Sequence, residues 1–228
     1  MEGGNQLNNI NIIYEDNHLL VVDKPINIPT QEDDSKDIDF LSMLKSYIKE
    51  KYSKPGNVYL GLVHRLDRPV GGVMVFAKTS KCASRLSEQI REHKFKKLYN
   101  AIVIGDINLS GTLKDKLLKD TKQNIVKVDE NGKEAVLHYK KINMIDNLSL
   151  LEIELETGRS HQIRVQMSNY GFPLYGDQKY NSKAKVGEQI ALFAKEISFY
   201  HPVTNNLLTF TLEIPKRRPF DLFKKEDI

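Results

Sequence analysis

Gly61-Leu62-Val63-His64-Arg65-Leu66-Asp67-Arg68-Pro69-Val70-Gly71-Gly72-Val73-Met74-Val75-Phe76-Ala77 packs a histidine, two arginines and a carboxylate together, then turns through a proline and two glycines into an apolar run. Surface charge needs no such order. A reactive group held on a short loop between two buried strands does, and Asp67 is the candidate. An aspartate carboxyl ionises near pH ~3.9, so at neutral pH it is a nucleophile without an activating base. An adjacent cation would hold it ionised and aimed. Arg65 and Arg68 are close in sequence, but neighbours on an extended segment point different ways. Arg159 or Arg164, arriving from another element, are the candidates for that cation. Taken by itself, Asp67 reads more plainly as a loop cap or a structural ion pair.

Working outward, residues 10–14 and 18–23 read as short strands around Glu15-Asp16-Asn17, the second running into Lys24-Pro25. The acidic stretch Glu32–Asp39 reads as a solvated loop. Phe40, Leu44, Tyr47 and Ile48 have helical spacing, ended near Pro55-Gly56. Val73–Ala77 is the strand after the Asp67 loop, and Ser80 is the expected cap of a helix burying Ala83, Leu86 and Ile90. Further strands are expected at Leu98–Ile104, Ala135–Ile142, Leu151–Leu155, near 191–199 and at 207–214. Ser160 is the expected cap of a helix with Ile163, Met167 and Tyr170 on one face. Helices set between many strands, several of them hairpins, favour a mixed α+β domain over a doubly wound sheet.

The 228 residues are 40% apolar, enough for a real core, with 13 Gly and 8 Pro and no low-complexity tract. The net charge of +4 is modest, but it is segregated. Residues 1–60 carry 6 basic and 10 acidic side chains, and residues 61–100 carry 9 and 3. A basic segment around the Asp67 loop suggests a polyanionic substrate. Cys82 is the single cysteine, which excludes an intrachain disulfide framework; on a helix pattern it reads as a small buried thiol. No leader pattern and no membrane-length apolar run is evident, so a cytoplasmic protein without membrane association is expected.

Two further clusters carry chemistry. Gly158-Arg159-Ser160-His161-Gln162-Ile163-Arg164-Val165-Gln166-Met167 places arginines, a histidine and two amides at a strand-to-helix junction, a setting suited to phosphate or carboxylate. The alternative is a solvated amphipathic helix. Lys94-Phe95-Lys96-Lys97-Leu98-Tyr99 interleaves cations and aromatics, as phosphate contact with base stacking requires. The alternative is a strand edge with core aromatics and snorkelling lysines, and for Phe95 that is the better reading. Other signals fail. His64-Arg65-Leu66-Asp67 is superficially similar to a kinase catalytic loop, yet no Gly-rich loop or Asp-Phe-Gly accompanies it. The six histidines lack metal-ligand spacing, His138 and His201 read as structural, and no nucleotide-cofactor fingerprint is present. No metal and no organic cofactor is expected.

In this order the clusters resemble the RluA-type family of pseudouridine synthases. The likeness is carried by Val21-Val22-Asp23-Lys24-Pro25, by His64-Arg65-Leu66-Asp67 with Gly72-Val73-Met74-Val75-Phe76-Ala77-Lys78, by Lys97-Leu98-Tyr99, and by Gly158 to Arg164. It extends to Ile190-Ala191-Leu192-Phe193-Ala194 and Phe199-Tyr200-His201-Pro202. The resemblance implies that Asp67 is the catalytic aspartate, that Tyr99 stacks on the target base, and that Arg164 pairs with the aspartate. It implies that Arg65 helps displace the target nucleotide or fills its vacated place, and that Ile163 and Leu192 line the pocket. It implies a mixed, largely antiparallel central sheet with flanking helices and a central cleft. The family's usual Lys-Pro-x-Gly is Lys24-Pro25-Ile26-Asn27 here; Asn tolerates left-handed backbone, so the turn is expected to persist. Pro69-Val70-Gly71-Gly72 stands where a Thr-Ser-Gly-like stretch is common, and Phe193 where a histidine is common.

Many relatives carry an N-terminal S4-like domain. Here a single catalytic domain over residues 1–228 without it is expected, acting as a monomer on structured tRNA or rRNA with no obligate protein partner. The expected reaction isomerises uridine to pseudouridine after the nucleotide leaves its stack. The rival readings are a non-catalytic RNA-binding or chaperone module, and a hydrolase. The hydrolase would want a second carboxylate or a metal cluster beside Asp67, and the sequence offers neither spacing.

Overall fold

In the computed structural model, which describes residues 10–223, the chain divides into two compact units. The first holds the chain up to Lys96 together with Glu196–Leu212; the second holds Lys97–Lys195 and the chain from Glu213.

In the first unit, β1 (Asn11–Glu15) and β2 (Leu19–Lys24) form an antiparallel hairpin. Asp16 sets the turn, its Oδ1 accepting the backbone N–H groups of His18 and Leu19 at 2.7 and 2.6 Å. β4 (Gly71–Ala77) runs antiparallel to β2, from Leu19↔Ala77 to Lys24↔Gly72, and the two-residue β3 (Gly61–Leu62) also pairs with it. Every residue of β4 is buried, which explains its unbroken apolar run. The core of this unit joins Leu19, Val21, Val73 and Val75 to Leu86, Ile197 and Phe199. Phe95 belongs to it and stacks on Phe199 at 5.1 Å, as its core reading required. Cys82 is buried there too.

Helix caps differ from expectation by one residue. α1 (Phe40–Lys51) buries Phe40, Leu44 and Ile48 and is capped by Asp39, whose Oδ1 accepts the Ser42 N–H at 3.0 Å. Asp39 is therefore a buried cap rather than the end of a solvated acidic loop. α2 (Ser80–Arg91) is capped by Thr79, not Ser80; the Thr79 hydroxyl accepts the Cys82 N–H at 3.2 Å.

The second unit is built on β5 (Lys96–Ile104), β6 (Ser110–Asp120), β7 (Ile125–Val128), β8 (Lys133–Ile145) and β9 (Leu148–Leu155). Antiparallel pairing sets them in the order β5-β9-β8-β6-β7. β6 and β7 have no counterpart in the sequence reading. Only Leu113 and Leu117 of β6 are buried, and its exposed positions are lysines and other polar groups with Leu118 among them, which masks the alternation. α3 (Gln162–Asn169) follows, then β10 (Leu192–Tyr200), which pairs with β11 (Leu207–Thr211) in the first unit through its Glu196–Tyr200 half. Helices flank antiparallel strands throughout, the expected α+β class. No described helix is long and apolar enough to cross a membrane.

One polar node ties α1 to the β1 strand. Glu15 accepts hydrogen bonds from Lys51 Nζ (2.7 Å), Lys78 Nζ (2.9 Å), Tyr52 Oη (2.8 Å) and Tyr47 Oη (3.1 Å). Burial alone would raise its pKa, but the bonds from Lys51, Lys78 and Tyr52 outweigh that and bring it to about 2. The ionised form therefore stabilises the fold fully above the ordinary value of 4.5, and that contribution is lost as pH falls towards 2. In urea unfolding, wild type should exceed Glu15→Gln in stability above pH 4.5, and the gap should close as pH approaches 2. A constant gap across that window would contradict this assignment.

Candidate active site

Asp67 lies on the loop between β3 and β4, in the first unit, and is partly exposed. The backbone around it is fastened residue by residue. Thr30 Oγ1 donates to the Leu66 carbonyl at 2.8 Å, and the Val70 N–H closes a turn on the Asp67 carbonyl at 2.9 Å. The Lys24 ammonium, fully buried, donates to the carbonyls of Pro25 (3.0 Å), Arg68 (3.3 Å) and Val70 (2.9 Å). Three acceptors use all three donors of an ammonium. Burial pulls the Lys24 pKa down to about 8, while the Asp67 carboxylate pulls it back up. The Lys24 ammonium is thus a cation acting on Asp67 that the sequence reading did not name. Lys24 was visible as part of Lys24-Pro25, but nothing local shows that it reaches across to the loop.

The other charged groups of the loop take separate places. Arg65 is exposed. Arg68 is engaged by Asp37, with Asp33 4.0 Å away, so the acidic segment neutralises it. His64 Nε2 accepts the Val75 N–H at 3.1 Å, which makes the ring neutral and proton-bearing at Nδ1, and the ring lies 5.5 Å from Phe95. In the turn after β2, Asn27 holds φ +64, so asparagine does supply the left-handed residue expected there.

Tyr99, Ile163, Arg164 and Leu192 all belong to the second unit and are all buried. Tyr99 sits on β5 opposite Ile153. Ile163 and Arg164 open α3, in which residues 162–167 are buried without interruption; that excludes a solvated amphipathic helix. Tyr170, expected on its inner face, is instead the exposed C-cap. Ser160 does not cap the helix. The N-cap is His161, left-handed at φ 52 and without a side-chain cap bond.

Arg164 is held by a residue absent from the sequence reading. Its Nε donates to Asp177 Oδ2 at 2.8 Å and its Nη2 to Asp177 Oδ1 at 2.7 Å, a bidentate fork that takes two of the five guanidinium donors. The Tyr180 ring lies 5.2 Å from the guanidinium carbon, and its hydroxyl meets His161 Nδ1 at 2.7 Å and the Val126 N–H at 2.9 Å. Gly176 was the available signal. It holds φ +69, and a Cβ there would stand 2.4 Å from the Gln189 carbonyl oxygen, so only glycine delivers Asp177 to this position. Gln162 braces the same junction, accepting from Thr157 Oγ1 (2.8 Å) and Arg159 N (2.9 Å) and donating to the Val136 carbonyl (3.0 Å).

His201 is structural, buried and bonded to Asp16 at 2.9 Å. His138 lies exposed on β8, hydrogen-bonded between Thr112 (2.8 Å) and Glu156 (3.2 Å). Among the described residues no group of three or more His, Cys, Asp or Glu is arranged to hold a metal ion.

Comparison with known proteins agrees with this arrangement of motifs. A family profile described as RNA pseudouridylate synthase matches residues 18–169. Ribosomal large subunit pseudouridine synthase D of Zymomonas mobilis is 35% identical over 222 residues, covering 91% of this chain and 70% of that one. The protein called uncharacterized RNA pseudouridine synthase YhcT of Bacillus subtilis is 34% identical over 210 residues, covering 90% and 69%. The solved structure of human RNA Pseudouridylate Synthase Domain Containing 4 superposes with a TM-score of 0.76 at 23% identity, covering 92% of this chain and 90% of that one; it speaks to the fold.

The two anchors can be tested by stability. Lys24→Met removes the donor from three carbonyls, of which that of Val70 is buried, and the released desolvation of the ammonium offsets part of that cost. We expect a loss of about 2 kcal/mol in urea unfolding, and an unchanged midpoint would refute the anchoring role. Asp177→Ala leaves the Arg164 guanidinium buried without its carboxylate, with an expected loss of about 3–5 kcal/mol.

Proposed function

The chain belongs to the family of RNA pseudouridylate synthases and isomerises uridine to pseudouridine in RNA, and we propose that Asp67 is its catalytic carboxylate and a structured tRNA or rRNA its substrate. The reaction breaks the N1–C1′ bond, turns the detached uracil, and joins C5 to C1′. The C5 proton is lost and N1 gains one, so no net reagent is consumed. One group must serve the sugar side while the base is detached, and a carboxylate can do so by adding at C1′ or by assisting proton loss from the ribose.

The observation that supports Asp67 is the fastening of its loop. The carbonyls of Leu66, Asp67, Arg68 and Val70 all have donors, while the Asp67 side chain remains partly exposed with the Lys24 ammonium acting on it. Rigid backbone around an accessible charged group is the pattern of a preorganised reactive residue. In this reading Tyr99 stacks on the base, Arg164 supplies the counter-charge, Arg65 assists nucleotide displacement, and Ile163 and Leu192 line the uracil pocket, the roles that the family resemblance gives them.

Asp67→Ala and Asp67→Asn should lower pseudouridine formation at least about a thousandfold and leave RNA binding within a few-fold of wild type. The assay is nucleotide-resolution mapping of pseudouridine in tRNA and rRNA from a deletion strain, treated with each purified protein. Retention of activity in Asp67→Ala would refute the assignment. Sites that appear only in tRNA, or only in rRNA, decide between the two substrate classes.

A further inference from the structure

The lysines of the Lys94–Lys97 segment are equivalent in sequence and quite different when folded. Lys94 pairs with Glu92 at 2.8 Å, and Lys96 is exposed. Lys97 is only 8% exposed. Among the described residues no hydrogen bond or ion pair to it is formed, and burial by itself pushes its pKa below the usual lysine range. A buried ammonium without an acceptor is costly, so buried charges are ordinarily paired. Lys24, in the other unit, obeys that rule with three carbonyls.

The surroundings of the Lys97 ammonium are built to keep it open. It lies 3.0 Å from the position that a Cβ on Gly158 would occupy, so the absence of a side chain there preserves the space at Nζ. Gly158 begins the turn into α3. The Arg159 N–H and the Thr157 hydroxyl of that turn are spent on Gln162, which fixes its shape. Arg159 adds a second, exposed guanidinium, with its Nε on the Glu134 carbonyl. Side chains alternate along a strand, so Lys97 and Tyr99 project from the same face of β5.

We propose that Lys97, at the Gly158-Arg159 turn, is a phosphate subsite that takes a backbone phosphate of the RNA strand whose target base stacks on Tyr99. The proposal rests on the reading of Tyr99 given above. RNA brings one anion per nucleotide, so a strand laid along this face of β5 supplies the partner that the protein withholds. The compact point charge of an ammonium suits a phosphate oxygen.

Two variants of the full chain test it, with fluorescein-labelled, unmodified tRNA transcript as the probe. Lys97→Met should weaken binding about tenfold at low salt and reduce the slope of log K against log salt by about one unit. It should also raise, or at least not lower, the Tm of the RNA-free protein, because an uncompensated buried charge has been removed. Gly158→Ala places a methyl group against the ammonium without changing charge, and should weaken RNA binding several-fold with Tm near wild type. Unchanged affinity and slope in Lys97→Met, or unchanged affinity in Gly158→Ala, would overturn the subsite. So would a fall in Tm for Lys97→Met, which would reveal a structural partner. Pseudouridine formation by wild type on the same RNA separates the two claims. An active enzyme with an indifferent Lys97→Met refutes only the subsite, and an inactive wild type with a Lys97-dependent salt slope refutes only the synthase assignment on this RNA.

Discussion

A fully buried ammonium has three donors and no water, and the loop that carries Asp67 is shaped by how Lys24 meets that constraint. Its three acceptors are main-chain carbonyls from the end of β2 and from both sides of the 68–70 turn. Carbonyl dipoles satisfy the hydrogen bonds but do not cancel the charge, which is why the Lys24 pKa falls to about 8 and why the Asp67 carboxylate still acts on it. With backbone acceptors, one residue fixes the loop and still leaves positive potential for the aspartate.

Among the described residues three Lys and Arg side chains are buried, and each is handled differently. Lys24 is solvated by carbonyls; Arg164 is forked by Asp177 and covered by the Tyr180 ring; Lys97 has no acceptor of its own. The differences follow the geometry of each group. A planar guanidinium spends two donors in one bidentate contact and keeps the others directed elsewhere, so Asp177 orients Arg164 without saturating it. An ammonium has no such second edge. Once Lys24 is solvated by carbonyls it becomes a structural post, and an ammonium meant for a ligand must lack internal acceptors, as Lys97 does.

How much of this was legible in the chain depended on the range of the interaction. Patterns set by near neighbours were plain: the buried run of β4, the faces of α1 and α2, the core position of Phe95, and the left-handed turn at Asn27. Caps were misplaced by one residue at Thr79 and His161, because serine, threonine and left-handed residues compete for the same position and packing decides. β6 and β7 escaped because a largely exposed ribbon has too few apolar residues for its alternation to stand out. The site motifs were legible as short clusters, whereas their supports were not. Asp177 holds Arg164 across thirteen residues and Lys24 reaches the loop across more than forty, and no periodicity reports a contact of that kind.

Folding also rewrites the charge segregation that first suggested an RNA substrate. The basic segment 61–100 is strongly positive as a string of residues, but Arg68 is taken by Asp37, Lys78 by Glu15, Lys94 by Glu92, and Lys97 is buried. The acidic groups that neutralise Arg68 and Lys78 come from the negative first sixty residues, so the two halves of the asymmetry partly cancel on contact. Pairing of this kind thins the positive field that the linear segment suggests, and salt screens what remains beyond about 10 Å. The proposed reading places RNA contacts at discrete points: exposed Arg65, Lys96 and Arg159, and the buried Lys97 ammonium, which a ligand meets on entering. In that reading long-range attraction is weak and binding is tied to entry of the nucleotide, the step that isomerisation requires.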